Sequence, residues 1–169
     1  MKTGLLRGQV CALLFVGLLA GGCSPGVNII AADDICKKSV EVHLVGVNRF
    51  EKDTWEMMSM TEYWTPPENQ LRKSAKAYTH VIKFGQGPCE VALDPKDPIR
   101  GIWRSRKAEY LFVLADLPGI FSDLPGNADA RRLRLPAIGS DAWGMRPKTI
   151  NIRIEGGNVV SLTIPESGD

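Results

Sequence analysis

Thr149 to Ile164 reads TINIRIEGGNVVSLTI, and this stretch decides the fold class. Ile150, Ile152 and Ile154 alternate with Asn151, Arg153 and Glu155, the period of two that turns one face of a strand to a core and the other to water. Gly156-Gly157-Asn158 follows, with Val160, Leu162 and Ile164 beyond it. A glycine pair between two alternating runs is a tight-turn signal, so the passage predicts a terminal β-hairpin.

The same period recurs upstream. Val40, Val42 and Leu44 alternate with Glu41 and His43, which predicts a strand near 39–47 with one buried face. Tyr78 to Phe84 and Cys89 to Leu93 read as two further strands, with Gly85 to Pro88 as the turn of a hairpin between them. Tyr110 to Leu117 is apolar on both faces apart from Asp116, the pattern of a central strand. Leu133 and Leu135 alternate with Arg132 and Arg134.

Between the strands, Asn48 and Glu51 form an approximate capping pair ahead of Phe50, Trp55, Met57 and Met58, which predicts a short helix near 49–60. Tyr63-Trp64-Thr65-Pro66-Pro67 reads as extended, followed by a polar linker through Ser74. Asp94 to Gly101 reads as loop because Pro95 and Pro98 cannot donate to a ladder. Asp116-Leu117-Pro118-Gly119 recurs as Asp123-Leu124-Pro125-Gly126, and proline followed by glycine suits type II turns. Turn chemistry accounts for both aspartates, and the two turns enclose Ile120 and Phe121. Seven or eight short strands with turn signals between them predict an all-β chain, an immunoglobulin-like β-sandwich with one short inserted helix.

The N-terminus carries a different message. Lys2 and Arg7 precede a nearly unbroken apolar run from Val10 to Ala20, and Ala20-Gly21-Gly22 leads into Cys23. This is a secretory signal architecture. The run is shorter than the about 20 apolar residues that a spanning helix needs. The segment resembles a lipobox, which implies a lipoprotein signal peptide over 1–22, lipid attachment at Cys23, a lipidated tether over 23–35 and a single domain over 36–169. A bacterial lipoprotein carries about three acyl chains, enough for stable anchoring. Aspartate after the cysteine would resemble an inner-membrane retention signal; Ser24 stands there, so the expected location is the outer membrane, facing the periplasm.

Charge and cysteine usage agree with export. The whole chain has 21 Lys+Arg against 19 Asp+Glu, and Lys2 and Arg7 leave with the leader, so the mature chain is balanced. No field recruits nucleic acid, and none is expected as a partner. Arg100, Trp103, Arg104, Arg106 and Lys107 read as a solvated basic face, with lipid headgroups or an acidic partner as its targets. Cys11 leaves with the leader and Cys23 takes lipid. Cys36 and Cys89 remain in an oxidising compartment and are expected to pair as a disulfide, the alternative being two separately buried thiols. The two histidines, His43 and His80, have no short spacing to a cysteine, so no metal site is expected. No phosphate-cradling glycine loop, nucleophile elbow or His-Glu-x-x-His motif occurs, which favours a non-enzymatic module without cofactor. Tyr63 and Trp64 beside two prolines could stack on a sugar ring, or anchor a loop lid.

One resemblance joins these features. A lipobox, a strand like Val40 to Val47, an inserted helix near Phe50, a central strand like Tyr110 to Leu117, a later Trp143 and a closing hairpin around Gly156-Gly157-Asn158 follow in the order of the outer-membrane lipoprotein of type VI secretion systems (TssJ), which the chain resembles. The resemblance implies a transthyretin-like β-sandwich with an added helical element. It also implies a periplasmic scaffold capping the periplasmic domain of an inner-membrane secretion subunit. The chain departs from that family where the first strand is reduced to something near Val27 to Ala31, and in the Cys36 and Cys89 pair. By this analogy the loop Ala32 to Lys38 is the first partner-binding candidate, through Asp33 and Asp34, and the turn with Ile120 and Phe121 is the second. The alternative function is a cell-envelope lipoprotein binding glycan or another ligand.

Overall fold

The computed structural model describes residues 25–65, 69–144 and 149–166. The expected signal peptide and Cys23 lie outside the described residues, as do Pro66 and Pro67. In chain order the elements are β1 (Gly26–Ala31), α1 (Asp33–Cys36), β2 (Glu41–Val47), α2 (Lys52–Met57), α3 (Met60–Trp64), α4 (Gln70–Ala75), β3 (Thr79–Lys83), β4 (Glu90–Leu93), α5 (Pro98–Ser105), β5 (Tyr110–Ala115), β6 (Arg132–Pro136), β7 (Thr149–Ile154) and β8 (Val159–Ser161). They build two four-stranded sheets, ordered β4-β1-β7-β8 and β3-β2-β5-β6.

Five α-helices among the described residues overturn the all-β expectation. The physical reason is length. These helices run from four to eight residues, too few turns for a 3.6-residue period to stand out from the sequence around them. The helix expected near 49–60 is the shorter α2; Met58 and Ser59 separate it from α3, and the Ser59 side chain accepts a hydrogen bond from the Glu62 amide and caps α3. Tyr63 and Trp64, expected to be extended, end α3, and the expected linker before Ser74 holds α4, capped by Asn69. Within the expected 94–101 loop, Pro98 instead opens α5, capped by Asp97; proline is well tolerated in the first helical turn, where its missing N–H has no partner to lose.

The period of two places the strands well and their faces less well. In the β3-β2-β5-β6 sheet, β5 is central as expected, paired with β2 and β6. Its outer face, with Phe112 and Leu114, shares a side with His43 and Val45 of β2, and Trp55 and Tyr63 of α2 and α3 pack there. The opposite face, with Val42, Leu44, Leu111 and Val113, joins one buried cluster with Val27, Ile29, Ile150 and Ile152 of the other sheet. The β3-β2-β5-β6 sheet is therefore the middle layer of three.

Three local readings change. β3 and β4 lie in different sheets, so 85–88 is a crossing between sheets and not a hairpin. Gly85 adopts φ +114 there, and its amide bonds the Cys36 carbonyl at 3.1 Å. The terminal hairpin exists, but its second strand is out of phase with the expectation. Glu155 N–H donates to Asn158 at 2.9 Å across the Gly156-Gly157 turn, and Ile154 pairs with Val159. Val159 is thus the inward residue, while Leu162 and Ile164 are 53 and 84 % exposed. A two-residue turn fixes register, and a shift of one residue exchanges the faces. Finally, the stretch 23–35 is more than a tether: the reduced strand expected near Val27 to Ala31 is β1, which lies between β4 and β7 and buries Val27 and Ile29 completely.

Candidate partner-binding end

The registers define two ends of the molecule. β1 and β7 run parallel, finishing at Ala31 and Ile154. β2 starts at Glu41, beside the end of β5, where the Asp116 amide donates to the Glu41 carbonyl at 2.9 Å. Val159 N–H to the Ala130 carbonyl, 2.9 Å, ties the hairpin of one sheet to the approach to β6 in the other. Residues 31–41, 83–90, 115–131 and 154–159 therefore share one end.

Asp33 and Asp34 sit there in the first turn of α1, both exposed. Ile35 and Cys36, which follow them, are buried and fix the turn from below. Cys36 and Cys89 form a disulfide with Cα atoms 5.0 Å apart, so the segment between the sheets is stapled to the start of β4. Asp34 closes over the hairpin turn: a side chain added at Gly156 would come within 2.4 Å of its carboxylate. The four partner-binding candidates thus lie toward one end, on two separate elements.

Ile120 is fully exposed at the tip of the 117–131 loop. The loop is held, not loose. Asp123 accepts hydrogen bonds from Ser59 Oγ at 2.6 Å, the Thr61 amide and Oγ1 at 3.0 Å each, and Arg131 Nη2 at 2.6 Å. Burial pushes its carboxyl up, but these donors outweigh burial and hold it well below the usual carboxylate range. Arg131 also pairs with the fully buried Asp129, at 3.0 Å through Nε and 2.8 Å through Nη2, and stands 5.4 Å from the Phe121 ring. Arg132 is 1 % exposed and donates to the carbonyls of Trp55, Met58, Gly126 and Leu124.

Sequence reasoning missed this support. It explained Asp123 by turn geometry alone, and took Arg132 for a water-facing residue of an alternating strand. The legible signal was Asp129-Ala130-Arg131-Arg132 after the second Pro-Gly turn, an acid and two arginines within bonding reach of one loop.

Two other clusters bear on function. His43, 3 % exposed, contacts Tyr63 Oη through Nδ1 and Glu41 Oε1 through Nε2, each at 2.7 Å. Glu41 also receives Arg72 at 2.7 Å and Lys83 at 3.1 Å. Both imidazole nitrogens are occupied by packing partners, so this arrangement orients α3 and α4 on β2. Tyr63 is fully buried and meets Trp64 edge-on at 5.0 Å, with Arg72 5.0 Å from the Trp64 ring. Tyr63 offers a sugar no stacking face. A groove of about 810 Å³ runs elsewhere, along β6 past Arg134 and Ala137 toward Ser140.

No family model matches the chain, and no curated protein matches it. Among solved structures, it is similar to a chain of a structure described as a type VI membrane complex, at 16 % identity and a TM-score of 0.48, covering 82 % of this chain and 97 % of that one. It is also similar to Serratia marcescens Lip, described as a membrane bound component of the type VI secretion system, at 9 % identity and a TM-score of 0.47, covering 82 % of this chain and 96 % of that one.

Proposed function

We propose that the chain is a non-enzymatic lipoprotein scaffold, held by lipid on Cys23 in the outer membrane and facing the periplasm. There it would dock the periplasmic domain of an inner-membrane secretion subunit in a type VI-like complex. The lipobox-like segment and the element order of the sequence support this reading. The observation that carries it is polar: Pro25 opens the fold at one end of the sheets, while Asp33, Asp34 and Ile120 stand toward the other. An anchor and a docking surface at opposite ends suit a subunit that bridges a membrane and a partner. A rigid platform presenting charged and apolar groups on short elements is the usual build of a binding surface.

Two experiments test it. Metabolic acyl labelling should mark the wild type in the outer-membrane fraction and leave Cys23→Ala unlabelled; a labelled mutant removes the anchor. Co-expression with the periplasmic domain of an inner-membrane subunit encoded nearby should give a complex that survives purification. A folded, acylated chain that recovers no such complex removes the scaffold.

A further inference from the structure

The end of the molecule at Pro25 has a surface of its own. Arg100 of α5 is buried and donates a hydrogen bond from Nη2 to the Pro25 carbonyl, pinning the start of the described chain to that helix. Pro25 is two residues from Cys23, so backbone geometry allows about 7 Å between their Cα atoms. Resting on the reading of Cys23 as the acylated residue, the lipid is attached within about that distance of Pro25. Arg100 ties α5 to Pro25, which brings this helix to the anchored end of the molecule.

That surface carries exposed apolar groups with cations beside them. Ile102 is 38 % exposed, and Arg104, Ser105 and Lys107 are exposed beside it. Arg106 bonds Glu51 at 2.7 Å, which brings the end of α5 against the 48–51 turn. On that turn Phe50 is 83 % exposed, with the Arg49 guanidinium 4.9 Å from its ring. Arg49, Arg104 and Lys107 make no ion pair among the described residues. Of the acids at this end, Glu51 is engaged by Arg106, and Asp97 stands 3.6 Å from His80. Asp53, Asp94, Glu109, Asp141 and Glu166 are exposed at the same end. An exposed aromatic and an aliphatic flanked by cations match the interface between acyl chains and anionic headgroups.

We propose that Phe50 and Ile102, flanked by Arg49, Arg104 and Lys107, rest on the bilayer that holds the lipid, and that this contact selects anionic phospholipid. The contact orients the protein. It turns the Asp33 and Ile120 end away from the membrane, where a partner can reach it. Each cation near an anionic surface contributes about fivefold in partitioning.

In the acylated mature chain Cys11 has left with the leader, Cys23 carries lipid and Cys36 pairs with Cys89, so Ser105→Cys and Ile120→Cys each accept one fluorophore. The labelled proteins are mixed with phosphatidylethanolamine–phosphatidylglycerol vesicles and quenched with acrylamide. Quenching of the Ser105 label should fall several-fold on the vesicles, while the Ile120 label stays as accessible as in solution. Replacing phosphatidylglycerol by phosphatidylcholine, or introducing Arg104→Gln with Lys107→Gln, should restore most of the quenching at position 105. Equal quenching of both labels in protein that co-sediments with vesicles overturns the inference alone, as does protection indifferent to both changes. Failure to co-sediment overturns the lipid reading and the inference with it.

Discussion

In the β4-β1-β7-β8 sheet, Asn28, Asn151 and Arg153 stand opposite the inward Ile29, Ile150 and Ile152. In the β3-β2-β5-β6 sheet, His43, Phe112, Leu114 and Arg132 occupy the corresponding outer face, and helices cover them. Both outer faces carry polar residues at alternating positions. The difference is what lies above them: Arg153 is exposed, whereas Arg132 is closed in by the carbonyls of α2, its flank and the 117–131 loop. An arginine in an alternating strand therefore has two meanings, and only the layer above decides between them.

The comparison can be broken by mutation. The largest effect should come from the staple between the sheets. Cys36→Ala with Cys89→Ala frees a loop with a sequence separation of 53, which the chain-entropy model equates to about 4 kcal/mol. Urea unfolding should show the loss, and reduction of the wild type should reproduce it. A midpoint indifferent to reduction would remove the staple from the account.

Arg132→Met against Arg153→Ala tests the two outer faces directly. Truncating the first strands several buried carbonyls and should cost about 3 kcal/mol or more; the second, paired with Glu155 at 3.5 Å on an exposed surface, should stay within about 0.5 kcal/mol. Similar losses at both sites would mean that the helical layer does not enclose Arg132 in solution. Gly46→Ala should follow at about 1–3 kcal/mol, because its new Cβ would lie 2.4 Å from the Trp103 ring. Gly157→Ala meets nothing within 4 Å and should be near neutral.

The smallest effect is a pH dependence confined to the helix-covered side. Burial raises the Asp129 carboxyl, but its bonds from Arg131 outweigh burial and hold it below its ordinary 3.8. A depressed folded value means that the stabilisation is complete above 3.8 and is lost as pH falls through the lower folded value. Asp129→Asn should therefore be less stable than wild type at about pH 6, and the gap should narrow at about pH 3. A gap independent of pH would show that the network does not act through this carboxylate.

The same contrast explains what the sequence revealed. The alternation of Ile150, Ile152 and Ile154 marks a strand because one partner face is core and the other is not. The unbroken run at Tyr110 to Ala115 marks a strand buried on both sides, and β5 is one. The helices that bury it were illegible: Trp55, Met60 and Tyr63 are each fully buried, but they sit on segments of five or six residues interrupted by Ser59 and Thr65. The hairpin's glycine pair was legible as a turn, yet its length, and so the phase of Val159, depended on the Glu155–Asn158 pairing. At the candidate end, Ile120 stood out beside Pro118-Gly119. Its anchoring by Asp123 to Ser59 and Thr61 spans more than 60 residues and left no local trace.

The scaffold reading meets its most direct test in association kinetics with the periplasmic domain of the inner-membrane subunit. Asp33→Lys with Asp34→Lys should leave folding and acylation intact and slow association, more steeply at low salt than at high salt, because exposed charges steer encounter and salt screens them. Association of the folded double mutant at the wild-type rate at every salt concentration would contradict that account.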